Sequence, residues 1–368
     1  MKPIVNEAYP GLEDIPWVEL GTYPTRVQAA PSLGEAWGVP ELYVKRDDQS
    51  CPLYGGNKVR KLEYLLADAE EKNRETLITI GACGSNQVLA TGILGGSRGF
   101  KVVGVVMDQP NAEYVRRNLL LDHRYGVELV HAGGTLSELY QAAKRYVSAA
   151  LRGEKPYFIT AGASSPRGNL GYVNAAFEFR EQIDRGKAPR PDYVVVAAGS
   201  MGTAAGLTLG LQLAGLDSTV LAVRVAMPWM VNEKRMRRMA QSLNRFMQRF
   251  DSSVPTIPPS RLRVRLLGDY LGEGYACHTP LALRCLEEAW QLEGLSLDPT
   301  YTSKALAGGL DWIKGRGEEG KTVLFWNTYN SVELDAGGVS PQELPKGFQK
   351  YFATPTQEEE SSFSQGMR

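Results

Sequence analysis

The chain has 368 residues, room for two or three domains at about 150 residues each. Its 41 Lys and Arg cancel its 41 Asp and Glu, which excludes nucleic-acid or membrane-surface binding driven by bulk charge. Four scattered cysteines without a CxxC pair and only three histidines exclude a disulfide scaffold and a Cys- or His-rich metal site, so no metal is expected.

No apolar run approaches the ~20 residues of a membrane span. Met1 to Leu20 lacks the apolar core of a secretory signal, so the expected location is the cytoplasm. Residues 1–58 precede the first clear element. From there the pattern predicts a helix over 59–72, a strand over 76–80, helix 86–98, strand 102–106, helix 112–124, strand 127–130, helix 135–151 and strand 156–160. Helix 171–185 leads to a second group: strand 193–197, helix 203–214, strand 219–225, helix 232–250, strand 262–266, helices 279–293 and 302–314, and strand 322–326. Continuous β-branched runs suit parallel strands buried on both faces. Their alternation with helices predicts an α/β protein with parallel-type sheets flanked by helices. Helix 232–250 carries a basic side (Lys234, Arg235, Arg237, Arg238, Arg245, Arg249) opposite Met236, Met239, Leu243 and Met247, the pattern of a surface helix with a solvated face.

The expected organisation is a large domain of residues 1–60 and 163–350, a small inserted α/β domain of 61–162, and an unstructured tail of 351–368. Gly315-Arg-Gly-Glu-Glu-Gly320-Lys321-Thr322 matches a P-loop letter for letter. It follows a helix and precedes a strand, the reverse of a working P-loop, and reads as a charged turn.

Three strings carry more chemistry. Gly199-Ser200-Met201-Gly202-Thr203 follows a strand and opens a helix, so converging N–H groups and the helix N-terminus suit a phosphate; an empty strand–helix turn is the plain alternative. Gly81-Ala-Cys-Gly84-Ser85-Asn86-Gln87 has the same setting and could hold a carboxylate, with simple capping by Ser85 as its alternative. In Gly55-Gly56-Asn57-Lys58-Val59-Arg60-Lys61, two glycines put Lys58 on a turn before a helix. A helix N-terminus lowers an amine pKa and favours the neutral nucleophile, although an ordinary surface lysine has the same letters. Arg60 and Lys61 read as helix-surface charges.

In order, these strings resemble the pyridoxal-phosphate (PLP) family that contains D-cysteine desulfhydrase and 1-aminocyclopropane-1-carboxylate (ACC) deaminase, with the tryptophan synthase β-like fold (fold type II). The resemblance runs from about Val44 to Thr328 and includes Lys45-Arg46-Asp47-Asp48, Gly162, Gly171-Tyr172, Gly274-Tyr275 and Asp298-Pro-Thr-Tyr301-Thr302-Ser-Lys304. It implies Lys58 as the PLP-bearing and proton-moving lysine. It implies that Asn86 bonds the PLP 3′-oxygen and that Gly199, Ser200, Met201, Gly202 and Thr203 hold the phosphate. Thr328 would face the pyridine nitrogen, and Ser85, Asn86 and Gln87 would bind the substrate. Ser85, Tyr275 and Tyr301 are implied as catalytic, and a homodimer as the assembly. The implied function is a PLP-dependent lyase acting on a small amino acid, with β-elimination of D-cysteine ranked first. ACC deamination or another PLP-dependent biosynthetic step comes second. A non-catalytic nucleotide-binding α/β protein using the Gly199 loop is the alternative from another class. The chain departs from the family pattern at Asn327-Thr328-Tyr329-Asn330-Ser331 and at Ala276-Cys277-His278.

Overall fold

The computed structural model describes residues 2–357. In chain order the elements begin with α1 (Val5–Ala8), β1 (Val27–Ala29), α2 (Pro31–Trp37), β2 (Leu42–Lys45), α3 (Asn57–Glu71), β3 (Thr76–Ala82) and α4 (Asn86–Gly96). Then come β4 (Lys101–Met107), α5 (Glu113–Arg124), β5 (Glu128–Ala132), α6 (Thr135–Leu151), β6 (Pro156–Ile159), α7 (Pro166–Asp184), β7 (Tyr193–Ala198) and α8 (Gly202–Leu213). The chain continues through β8 (Thr219–Arg224), α9 (Glu233–Gln248), β9 (Val264–Leu267), α10 (Pro280–Glu293), α11 (Thr302–Lys314), β10 (Val323–Trp326) and α12 (Lys346–Ala353).

The chain divides into two compact units, Met1–Tyr64 with Ser164–Val332, and Leu65–Ala163 with Glu333–Arg368. The first holds a six-stranded sheet in the order β1-β2-β10-β7-β8-β9. All its neighbours are parallel except the antiparallel β1–β2 edge. Val194 and Val196 pack one face, with Ala204, Leu207 and Leu211 of α8 and Met236, Leu243 and Met247 of α9 in the same core. Val195 and Phe325 pack the other face with Leu306 and Leu310 of α11. Consecutive residues of one strand thus point into two cores, which is why the strands read as unbroken apolar runs. The second unit holds a wholly parallel sheet in the order β5-β4-β3-β6, with Ile78, Ile80, Val103 and Val105 buried.

Three expectations need correction. Strands β1 and β2 lie within residues 1–58, where the pattern predicts no element, because runs of three and four residues carry too little periodicity to register. Residues 333–350 belong with the second unit, not with the large domain. The tail does not begin at 351: Tyr351, Phe352 and Ala353 end α12, and Tyr351 is only 3% exposed. Its hydroxyl accepts from the Gln109 amide at 3.0 Å and donates to Asp108 at 3.1 Å, and Lys350 pairs with Asp108 at 2.7 Å. A sparse composition window hides these specific polar anchors. The rest of the expected tail, residues 358–368, lies outside the described residues.

On α9, Asn232 caps the first turn, and Arg237 is spent on Glu233 and on the carbonyls of Pro259 and Leu262. Gly315–Thr322 is a turn between α11 and β10.

Candidate active site

In the first unit, Lys58 stands in the first turn of α3, and its Nζ donates to Asn57 Oδ1 at 2.8 Å. Asn57 Nδ2 donates to Thr203 Oγ1 at 3.0 Å, and the Asn57 backbone N–H reaches the Thr328 carbonyl at 3.3 Å. One asparagine therefore ties the lysine to the glycine-rich loop and to the end of β10. Sequence reasoning gave Asn57 no role; its place directly after two glycines and before the lysine was the available signal. Burial lowers the Lys58 pKa to about 8, against the opposing pull of the Asp298 carboxylate. The shift raises the neutral fraction of the amine near neutral pH far above that of an ordinary lysine, which is what a carbonyl-directed nucleophile needs.

The Gly199–Thr203 loop leaves β7 and opens α8. Met201 takes a left-handed φ of 64°, which turns successive N–H groups inward. A Cβ at Gly202 would lie 2.3 Å from Asn169 Oδ1, 2.3 Å from Ser164 Oγ and 2.7 Å from Lys61 Nζ. Polar side chains thus converge on a space that only glycine leaves open. Ser164 Oγ donates to Ser200 Oγ at 2.7 Å and accepts from Lys61 Nζ at 3.2 Å.

Lys61 and Arg60 are not helix-surface charges: each is 1% exposed. Lys61 points to the glycine loop, and burial together with Lys58 holds its ammonium well below the usual range. An oxyanion in this cradle would supply an opposing charge. Arg60 turns instead into a closed ion cluster. It pairs with Asp47 and with Glu178, both at 2.8 Å, and Lys45 also binds Glu178. Tyr172, Thr25 and Trp326 complete the hydrogen bonding of Asp47. Four charges buried beside one another compensate only because nearly every lone pair is used. A helix carrying charges at consecutive positions 60 and 61 cannot expose both once its neighbours are packed on two sides, and the sequence window could not see those neighbours.

The Tyr275 and Tyr301 hydroxyls hydrogen-bond to each other, with ring centroids 6.1 Å apart at 66°. The Tyr301 ring passes 3.4 Å from the Cβ position of Gly199, which places it against the loop. Tyr301 is fixed from below by Asp298, whose carboxylate accepts from the N–H groups of Thr300, Tyr301 and Thr302. Thr302 Oγ1 donates to the same carboxylate at 2.6 Å. Ala276, with φ of 61°, and Cys277 follow Tyr275, and Lys304 clamps this loop through the carbonyls of Leu271 and Cys277. Burial and Lys304 push His278 down to about 4, so it is neutral at ordinary pH. Thr279 caps α10.

The second unit carries Ser85, Asn86 and Gln87. Ser85 Oγ caps α4 by accepting from the Gln87 N–H at 3.2 Å. Gln87 Nε2 is turned along its own helix to Thr91 Oγ1 at 2.8 Å. The Gly84 N–H is held by Gln109, and Asn118 donates both to the Gly84 carbonyl at 3.0 Å and to Asn86 Oδ1 at 3.3 Å. Gln109 and Asn118 were not foreseen; isolated amides carry no spacing signal.

The sequence profile described as "Pyridoxal-phosphate dependent enzyme" matches residues 18–328. A Pyrococcus furiosus protein, provisionally named a 1-aminocyclopropane-1-carboxylate deaminase, is 35% identical over 319 residues, covering 86% of this chain and 92% of its own. A D-cysteine desulfhydrase of Klebsiella pneumoniae (strain 342) is 33% identical, covering 88% of this chain and 97% of its own. The crystal structure of an ACC deaminase homologue superposes with a TM-score of 0.76 at 32% identity, covering 90% of this chain and 96% of that one.

Proposed function

Because the chain belongs to the pyridoxal-phosphate-dependent enzymes of fold type II, we propose that it is a lyase acting on a small amino acid, with D-cysteine or a close β-substituted analogue preferred to ACC. The residues present fit the cofactor: the open cradle at Gly202 faces Lys61, Ser164 and Asn169, and Lys58 is joined to the same loop through Asn57. When bound, PLP supplies an electron sink for negative charge left on the substrate α-carbon.

The chain's own groups do the rest. In this proposal Lys58 Nζ carries the cofactor and then moves the α-proton. The N–H groups of Gly199–Thr203, with Lys61, hold the phosphate. Asn86 bonds the 3′-oxygen, and Thr328 offers the pyridine nitrogen a neutral hydroxyl. Ser85, Asn86 and Gln87 receive the substrate carboxylate, with Ser85 also acting on the substrate. The Tyr275–Tyr301 pair holds a proton at the hydroxyls. Breaking the Cβ–S bond expels sulfide. Water then releases the nitrogen as ammonia and leaves the keto acid. We also propose a cytoplasmic homodimer. All four cysteines are free, and among the described residues no helix is long and apolar enough to cross a membrane.

The observation that ranks the substrates is Thr302. It is buried, and its hydroxyl is committed to Asp298. The family resemblance sets two residues against each other. Gln87 follows Ser85-Asn86 as in the deaminase branch. Thr302 follows Tyr301 as in the desulfhydrase branch, where the deaminase branch would carry a glutamate to strengthen the electron sink for ring opening, and Thr302 carries the greater weight. A threonine whose hydroxyl is bound to Asp298 lends no charge of its own, whereas a thiolate leaves readily without it. Ammonia and keto-acid release from both substrates under matched conditions tests the ranking, with faster turnover of D-cysteine expected. Faster turnover of ACC overturns it.

A further inference from the structure

The string Asn327–Ser331 departs from the family pattern, and the side chains of Asn330 and Ser331 are spent on the turn that presents Lys58 and on Asp48 beside it. Gly55 and Gly56 are wedged between two segments. A Cβ on Gly55 would lie 1.9 Å from the Asp48 carbonyl, and one on Gly56, at φ of 87°, would lie 2.5 Å from the Tyr329 carbonyl. The three N–H groups before Lys58 are each satisfied. Gly56 donates to the Asp47 carbonyl at 2.8 Å and Asn57 to the Thr328 carbonyl at 3.3 Å, both backbone bonds. Gly55 donates to a side chain, Asn330 Oδ1, at 2.7 Å. Asn330 Oδ1 is itself set by the Val332 N–H at 3.1 Å. Next to it, Ser331 holds Asp48 through both its N–H and its Oγ, at 3.1 and 2.6 Å.

We propose that Asn330 is a positioning residue for Lys58: its side-chain carbonyl is the one side-chain acceptor in the backbone clamp that fixes the Gly55–Gly56 turn and so aims the lysine. The inference rests on the reading of Lys58 as the lysine that carries PLP. Removing the acceptor leaves the Gly55 N–H unpaired in a turn closed on both sides, which favours alternative turn geometries. The function required of residue 330 is acceptance, so a carboxylate serves in place of the amide.

The experiment follows attachment of PLP to apo protein over pH, by the visible band and by borohydride reduction with mapping of the labelled lysine, alongside the melting temperature of each variant. Asn330→Ala is expected to slow attachment at pH 8 on the order of tenfold, the effect of one lost buried hydrogen bond. Asn330→Asp, which keeps an acceptor for the Gly55 N–H, is expected to attach PLP at the parent rate. A lower melting temperature with parent-like attachment in Asn330→Ala overturns the proposal. Should Asn330→Ala fail to fold, Asn330→Ser, whose hydroxyl is too short to reach the Gly55 N–H, takes its place, and parent-like attachment in that variant overturns the proposal. Label on a lysine other than Lys58 removes the underlying reading and this inference with it. Label on Lys58 with parent-like attachment in Asn330→Ala or Asn330→Ser removes the inference only.

Discussion

Lys58 and Lys61 lie one helical turn apart, Lys58 half-buried and Lys61 fully buried, yet they answer to different parts of a ligand. Lys58 has its pKa lowered to about 8 by burial, so attachment of PLP to apo protein should rise with pH and reach half its plateau near that value. A pH series of stopped-flow traces checks this. Lys58→Ala should abolish borohydride-stable labelling and keep the fold. Lys61, beside Ser164 and the Gly202 cradle, should act on the phosphate alone. Lys61→Met should weaken PLP binding by about 10- to 100-fold, the loss of one charge-assisted bond. Binding of pyridoxal, which has no phosphate, should change little; equal losses for both ligands would deny Lys61 that role.

Helix α3 gets its placement from residues that never meet a substrate. Arg60 is locked between Asp47 and Glu178, and Arg60→Leu would leave the buried Asp47 without a paired cation and Glu178 with Lys45 alone. Unfolding in urea should show a loss of about 3–5 kcal/mol. In the second unit, α6 buries Glu138 while Leu136, Tyr140 and Leu151 face outward. Burial raises the Glu138 pKa to about 7, opposed by the bond it accepts from the Gly81 N–H. A raised acid pKa means the folded state holds its proton more tightly. The contribution is present below the ordinary glutamate value and is lost as pH climbs through about 7. Glu138→Gln, which cannot ionise, should therefore melt higher than the parent at pH 8 and nearly level with it at pH 4.

At the scale of the whole molecule, the chain closes each unit with a segment distant in sequence. β10 sits between β2 and β7 in the first sheet. In the second unit, α12 brings Lys350 and Tyr351 to Asp108 and Gln109 at the end of β4. Truncation after Pro345 should lower the melting temperature by several degrees and speed proteolysis within residues 65–163. Unchanged cleavage there would show that α12 contributes nothing to that unit's stability.

The alternation of apolar runs with amphipathic stretches was legible because buried parallel strands and half-buried helices leave different periods in the letters. The glycine-rich strings were legible because a tight strand–helix turn demands glycine locally, and their order from Lys58 to Tyr301 carried the family. What the letters could not show was where a charged side chain ends. Arg60 and Lys61 look alike in sequence, yet one enters an ion cluster and the other faces the Gly202 cradle. Asn330 looks like any loop amide until β10 brings it to Gly55. Such partners lie far along the chain, from Arg60 to Glu178 or Asn330 to Gly55, so only the folded arrangement decides them. Local pattern fixes periodicity and turn geometry, whereas hydrogen bonds and ion pairs between distant residues depend on a packing that no sequence window contains.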